Sequence, residues 1–200
     1  MVKKTATVQW IEKIIGQPKH TVEVAACRPE VTKTRRYVMH PDCRAQLFEP
    51  HPGNFALLEA EYGGLRNVEL HNVAVADHDG TATLCCPADG LLRACHLEGV
   101  YAPAVFDQKV VVTDRVEVQC RRFDQFDDGT IDFILIDCEG SEWSVIQRMV
   151  SRPKLIQVEM ALKWGYRNPH ILDLKKWMHS EGYVMGWPAK PGRDWMLVRE

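Results

Sequence analysis

The chain has 200 residues, 46% hydrophobic and 26% charged, with a formal net charge of −2. That length buries a sizeable core without disulfides, and the near balance of charge offers no general attraction for a phosphate backbone, so the expected partner is a small molecule and not nucleic acid. Seven scattered cysteines, and no apolar run of membrane-spanning or signal-peptide length, predict reduced thiols in a cytoplasmic protein that does not engage a membrane.

Residues 1–20 are read as a helical extension before the first strand, "TVEVAA" (21–26). Pro29 then suits the first turn of a helix over "EVTKTRRYVMH". "AQLF" (45–48) is the second strand, and "GNFALLEAEYG" carries apolar residues at helical spacing with a glycine to stop it. "NVELHNVAV" (67–75) reads as one third strand, joined through the turn signal "ADHDG" to "TATLCC" (81–86) as a hairpin. Residues 87–108 hold scattered prolines and glycines without periodicity and are expected as a long loop on the substrate side.

"KVVVTDRVEVQC" (109–120) alternates like a strand, and "IDFILID" (131–137) is a fully apolar one. A helix over "SEWSVIQRMV", a strand "LIQVEM" (155–160), a helix over 169–182 and a closing pair, "YVMGW" and "DWMLVRE", complete the chain. Strands alternating with helices predict one α/β domain over 1–200, with a mostly parallel sheet covered by helices on both faces.

In such a sheet ligands bind beyond the carboxyl ends of the strands, where the following helices point their N-termini. Those ends carry Glu49, Ala76, Asp77, the group Asp137, Glu139 and Glu142, and Glu159. A carboxylate after a second strand can accept bonds from two ribose hydroxyls, although Glu49 could instead serve a turn or a helix cap. Asp137 and Glu139 stand where a base could take a proton from an acceptor, whereas Glu142, three residues on, suits the start of the helix. Asp137, Glu139 and Glu159 also admit Mg²⁺, which the sequence leaves open. Cys85, Cys86, Cys95 and His96 lack a metal-ligand spacing, so the cysteines read as buried or idle thiols, His51 as an exposed turn residue, and the tryptophans as core, with Trp143 and Trp164 nearest the rim.

"LFEPHPGNFALLE", "NVAVADHDGTATL", "IDFILIDCEGSEWSVIQ" and "LIQVEM", in that order, resemble the FkbM family of S-adenosylmethionine-dependent methyltransferases over about residues 21–160. The resemblance implies a Rossmann-like methyltransferase fold: a seven-stranded, mostly parallel sheet ending in an antiparallel hairpin. It also implies O-methylation of a hydroxyl on a sugar or secondary metabolite. It assigns the ribose hydroxyls to Glu49, the adenine to Ala76 and Asp77, and the sulfonium and acceptor to Asp137 and Glu139. It places Glu23, Ala25 and Arg28 in the loop against the cofactor's methionine part.

That loop departs from the family's glycine-containing Asp-x-Gly-Ala-Asn-x-Gly: here "EVAACRP" puts Ala25 and Pro29 at the glycine positions. A left-handed Ala25 would cost about 1–2 kcal/mol. Either the loop takes another path, with Arg28 pairing the cofactor's carboxylate, or the scaffold has become a non-catalytic binding module. A carboxylate-metal hydrolase is a third reading, short of the histidines such sites use.

Overall fold

The computed structural model describes residues 6–87, 94–100, 111–160, 168–186 and 194–200. Its centre is a seven-stranded sheet of β1 (His20–Val24), β2 (Arg44–Phe48), β3 (Val68–His71), β8 (Phe133–Ile136), β9 (Leu155–Glu159), β10 (Tyr183–Met185) and β11 (Asp194–Arg199). The order is β10-β11-β9-β8-β1-β2-β3. All pairings are parallel except those of β11, which runs antiparallel between β9 and β10.

β8 shows why the sheet is covered twice. Its side chains alternate, so Phe133 and Leu135 join Ile11 of helix α1 (Ala6–Ile15), Tyr37 and Met196 on one face. Ile134 and Ile136 meet Val145 and Ile146 of α4 (Glu142–Ile146) and Leu174 of α5 (Ile171–Ser180) on the other. All four β8 side chains are buried, each stabilising the fold by about 1.5–3 kcal/mol, and Ile134→Ala would cost about 2–5 kcal/mol.

Two elements depart from their sequence reading, each where a polar side chain bonds backbone distant along the chain. The helix expected over 30–40 is one turn, α2 (Arg35–Val38). The buried Glu23 carboxylate accepts the Lys33 and Thr34 N–H groups at 2.9 and 2.8 Å, and the Thr34 hydroxyl at 2.6 Å, holding this stretch as an irregular turn. The third strand, expected to run unbroken over 67–75, divides into β3 and β4 (Ala74–Val75), which belong to different sheets. Between them the Asn72 amide donates to the Glu49 and Pro50 carbonyls at 2.8 and 3.2 Å and draws the chain across the end of β2.

The expected hairpin is also replaced. In a second sheet of order β4-β7-β5-β6, β7 (Val112–Arg121) lies between β4 and β5 (Gly80–Pro87), pairing parallel with the first and antiparallel with the second. Of the loop expected over 87–108, residues 94–100 contain β6 (His96–Leu97), and 88–93 and 101–108 lie outside the described residues, as do Trp164 and Trp187. The helix α3 (Pro52–Tyr62) follows its reading, with Pro52 in the first turn and Gly63 at its end.

Candidate active site

The ends of β1, β2, β4, β8 and β9 converge on one rim. After β1, Ala25 and Cys27 both adopt left-handed backbone, with φ of 64° and 61°. Ala25 occupies the family's first glycine position, so its backbone takes the conformation a glycine would have provided freely, at a cost of about 1–2 kcal/mol. The missing glycine therefore does not force this residue into an ordinary right-handed or extended conformation, and the binding-module reading loses its main support.

Glu49 secures that loop. Its carboxylate, buried at 3% exposure, accepts the Cys27 N–H at 2.8 Å and the His51 N–H at 2.9 Å, with the Asn54 amide at 3.5 Å. Burial pushes Glu49 up to about 7, against the pull of these bonds toward the ionised form. Each carboxylate oxygen can accept more than one hydrogen bond, so the group can tie down the loop and still receive ribose hydroxyls. Arg28 lies on the same network through Asn54, its Nε donating to Oδ1 at 3.2 Å. Capping of α3, one of the alternatives for Glu49, falls to His51: its Nδ1 accepts the Gly53 and Asn54 N–H groups at 3.1 and 3.3 Å.

The end of β8 carries the acids singled out in the sequence. Asp137 forms an ion pair with Lys33 from the turn after β1. Glu139 is left-handed at φ 49° and is followed by Gly140 at φ 111°, a pair that bends the chain sharply toward α4. Glu142 turns back into the protein: its buried carboxylate accepts the Gly140 N–H at 2.9 and 3.1 Å, and burial pushes it up to about 7. It secures the turn, as its place at the helix start suggested.

Glu159, at the end of β9, completes a group in which oxygens of Asp137, Glu139 and Glu159 all lie within 4.8 Å of one another. The Lys33 ammonium supplies positive charge to this group. Burial works to lower its pKa, but the pairing with Asp137, aided by Asp194 and Glu159, outweighs it and holds Lys33 above its ordinary value.

A narrow cavity opens between this rim and the second sheet, bounded by Ala25, Pro50, Val75, Cys95, Leu97 and Cys138. A second cleft, sharing Leu97 and Ser141 with it, continues past Ala76 and Asp77 to Trp143 and His170, whose rings stack at 6.1 Å between centroids. Ala76 is buried, whereas Asp77 is exposed and bonded to His78 Nδ1 at 2.8 Å. Glu23 lies one position before the strand's end, its carboxylate engaged with residues 33 and 34.

Sequence reasoning brought Asp137, Glu139 and Glu159 to one rim but missed Lys33, His51 and the Trp143–His170 pair. Lys33 carried no signal, because its partner stands 104 positions away. His51 had one, lying directly before a proline that opens a helix.

The strand order, with its antiparallel β11, and the loop of the rim define a Rossmann-like methyltransferase fold. The methyltransferase FkbM domain matches residues 23–185, and the chain belongs to that family: it is an S-adenosylmethionine-dependent methyltransferase. Among solved structures it is similar to a candidate caffeoyl-CoA O-methyltransferase from Staphylococcus aureus, at 12% identity and a TM-score of 0.52, covering 99% of this chain and 85% of that one. A candidate rRNA-methylase from Clostridium thermocellum matches at 10% identity and a TM-score of 0.51, covering 100% and 97%. A methyltransferase from Geobacter sulfurreducens matches at 13% and 0.50, covering 100% and 80%. At these identities the likeness speaks for the fold alone. The comparison with curated proteins returned no match. No helix among the described residues is long and apolar enough to cross a membrane.

Proposed function

We propose that the chain acts as one domain over 1–200 that methylates a hydroxyl group of a small molecule, a sugar or secondary metabolite. S-adenosylmethionine supplies an electrophilic methyl group on a sulfonium. The residues that would hold it are Glu49 for the ribose hydroxyls, Ala76 and Asp77 beside the adenine, and the loop of Ala25 and Arg28, braced from behind by Glu23, for the methionine part. The donor set fits: Glu49 retains acceptor capacity, and the cavity between the two sheets begins at Ala25.

The observation that carries the reading is the gathering of Asp137, Glu139 and Glu159 at the strand ends beside this cavity. An acceptor hydroxyl must lose its proton as its oxygen attacks the methyl carbon in line with the departing sulfur. Asp137 is the base in this reading, and Glu139, held by its left-handed backbone, orients the acceptor. Lys33 neutralises one charge of the group and keeps Asp137 in place. Residues 94–100, within the 87–108 stretch assigned to the substrate side, wall the cavity through Cys95 and Leu97.

The test is calorimetric titration with S-adenosylmethionine and S-adenosylhomocysteine, followed by mass detection of methylated products from a panel of hydroxylated acceptors. Binding together with a methyl ether product is the expected result. Binding followed by methylation only of amines would overturn the O-methyl assignment, and no binding at millimolar ligand would overturn the site.

A further inference from the structure

Cys85, Cys86, Cys95 and His96 take no part in the chemistry above, yet the second sheet places two of them against each other. β5 and β6 pair antiparallel with Leu84 opposite Leu97 and Cys85 opposite His96, so the next pair in register is Cys86 and Cys95. The Glu98 N–H donates to the Thr83 carbonyl at 2.8 Å, which makes 83 with 98, and hence 85 with 96, the hydrogen-bonded pairs of the ladder. Cys86 and Cys95 therefore form a non-hydrogen-bonded pair, the kind whose Cα atoms approach to about 4.5 Å, inside the range of about 4.4–6.8 Å that a disulfide spans.

Their side chains share one face and one cluster with Leu84, Leu97 and Val118, and the two thiols are hydrogen-bonded to each other. Cys85 projects from the opposite face of β5. Exposure differs within the pair: Cys86 is fully buried, while Cys95 is partly buried and lines the cavity between the sheets.

We propose that Cys86 and Cys95 are an oxidative modification site, a preformed cross-strand dithiol that a small hydroperoxide entering the cavity converts to a disulfide. Cys95 is the attacked thiol and Cys86 the resolving one. The Cys95 sulfur attacks a peroxide oxygen, the O–O bond breaks, and the departing hydroxide takes up a proton as water, leaving a sulfenic acid. The Cys86 sulfur then attacks the Cys95 sulfur; the S–O bond breaks and hydroxide leaves as a second water with the Cys86 proton. Two thiols are oxidised and one peroxide is reduced to two waters. Burial pushes both thiols above their ordinary range, so the thiolate is scarce at neutral pH and the reaction is slow there. The proposal places a redox-sensitive link on the wall of the cofactor cavity and does not depend on how the cofactor or acceptor is held.

The experiment treats the reduced full chain with hydrogen peroxide at two pH values one unit apart, quenches by alkylation, and maps tryptic peptides, Arg93 separating the two cysteines. The expected product joins the peptides of Cys86 and Cys95, is reversed by dithiothreitol, leaves the other five of the seven cysteines alkylated, and forms about tenfold faster at the higher pH. It persists in Cys85→Ser and is lost in Cys86→Ser. A link through Cys85, a link from Cys95 to the neighbouring Cys27, or oxidation to sulfinic acid without any link would each overturn the proposal; Cys85 and Cys86 share one tryptic peptide, so fragment spectra that cleave between them assign the bond in the wild type even where a variant fails to fold.

Discussion

Ala25→Gly tests the backbone on which the cofactor loop depends. Ala25 holds φ at 64°, in the left-handed region where an alanine costs about 1–2 kcal/mol and a glycine nearly nothing. Against that relief, glycine adds freedom to the unfolded chain worth about 0.4–1 kcal/mol. The net expectation is a gain of about 0.5–1 kcal/mol, the reverse of what glycine does at an ordinary position. For a chain of this size that is a rise of roughly 1–4 °C in Tm, with the urea midpoint moving up at unchanged slope. Ala25→Val, β-branched in the same conformation, should lose about 2 kcal/mol or more. Cys27, at φ 61°, is the poorer test, because its removal also deletes a partly buried side chain. The same two Ala25 variants, titrated with S-adenosylhomocysteine, should rank glycine at or above wild type and valine below it. If Ala25→Gly instead lowers stability by about 1 kcal/mol, the loop does not follow the glycine path and its assignment to the cofactor falls with it.

The buried acids predict pH behaviour. Glu49 and Glu142 are raised from an ordinary 4.5 to about 7 in the folded chain, so between those values the native state keeps protons that the unfolded state has released, and their contribution to stability falls as pH rises through this window. Glu49→Gln and Glu142→Gln should therefore gain on wild type by on the order of 1–3 kcal/mol between pH 5 and pH 8 in urea titrations, and a gap that stays constant with pH would contradict the burial. Glu49→Ala should weaken S-adenosylhomocysteine binding, read by calorimetry, whereas Asp137→Asn should lower kcat by about 10²–10⁴ with little change in affinity. Lys33→Met should cost less than about 1 kcal/mol of stability, since its side chain is 44% exposed, yet lower kcat; recovery in Lys33→Arg would separate a charge effect from a packing one. His51→Ala should cost about 1 kcal/mol of stability through the lost cap, measured by thermal unfolding.

What could be read from the sequence was what local pattern dictates. β1, β2, β8 and β9 announce themselves as short apolar runs, and the ends of the last three already name the acids of the rim. The misreadings arose where a side chain bonds backbone far along the chain, a contact that local pattern does not report. Residues 67–75 read as one β-rich run, and the bonds from Asn72 to Glu49 and Pro50 mark where Ala74 and Val75 leave the main sheet to pair with β7. Residues 30–40 have helical composition, and the carboxylate of Glu23, reaching from the first strand, takes two of the N–H groups concerned. The site divides the same way. Asp137 and Glu139 were visible as residues after a strand, but Lys33 beside them was not, because nothing near residue 33 reports what lies beyond β8.

The division of the third strand has a consequence for how this enzyme can change. β3 and β4 hand the chain from one ladder to the other at Asn72 and Val73, so the cavity lies along a seam between two sheets that share no strand pairing. Its width is set by side chains such as Val75, Cys95 and Leu97 and not by a hydrogen-bonded register. Substitutions along that seam can widen or narrow the chamber one methyl group at a time while both ladders stay whole, so the shape of the chamber can vary independently of the carboxylates at the strand ends.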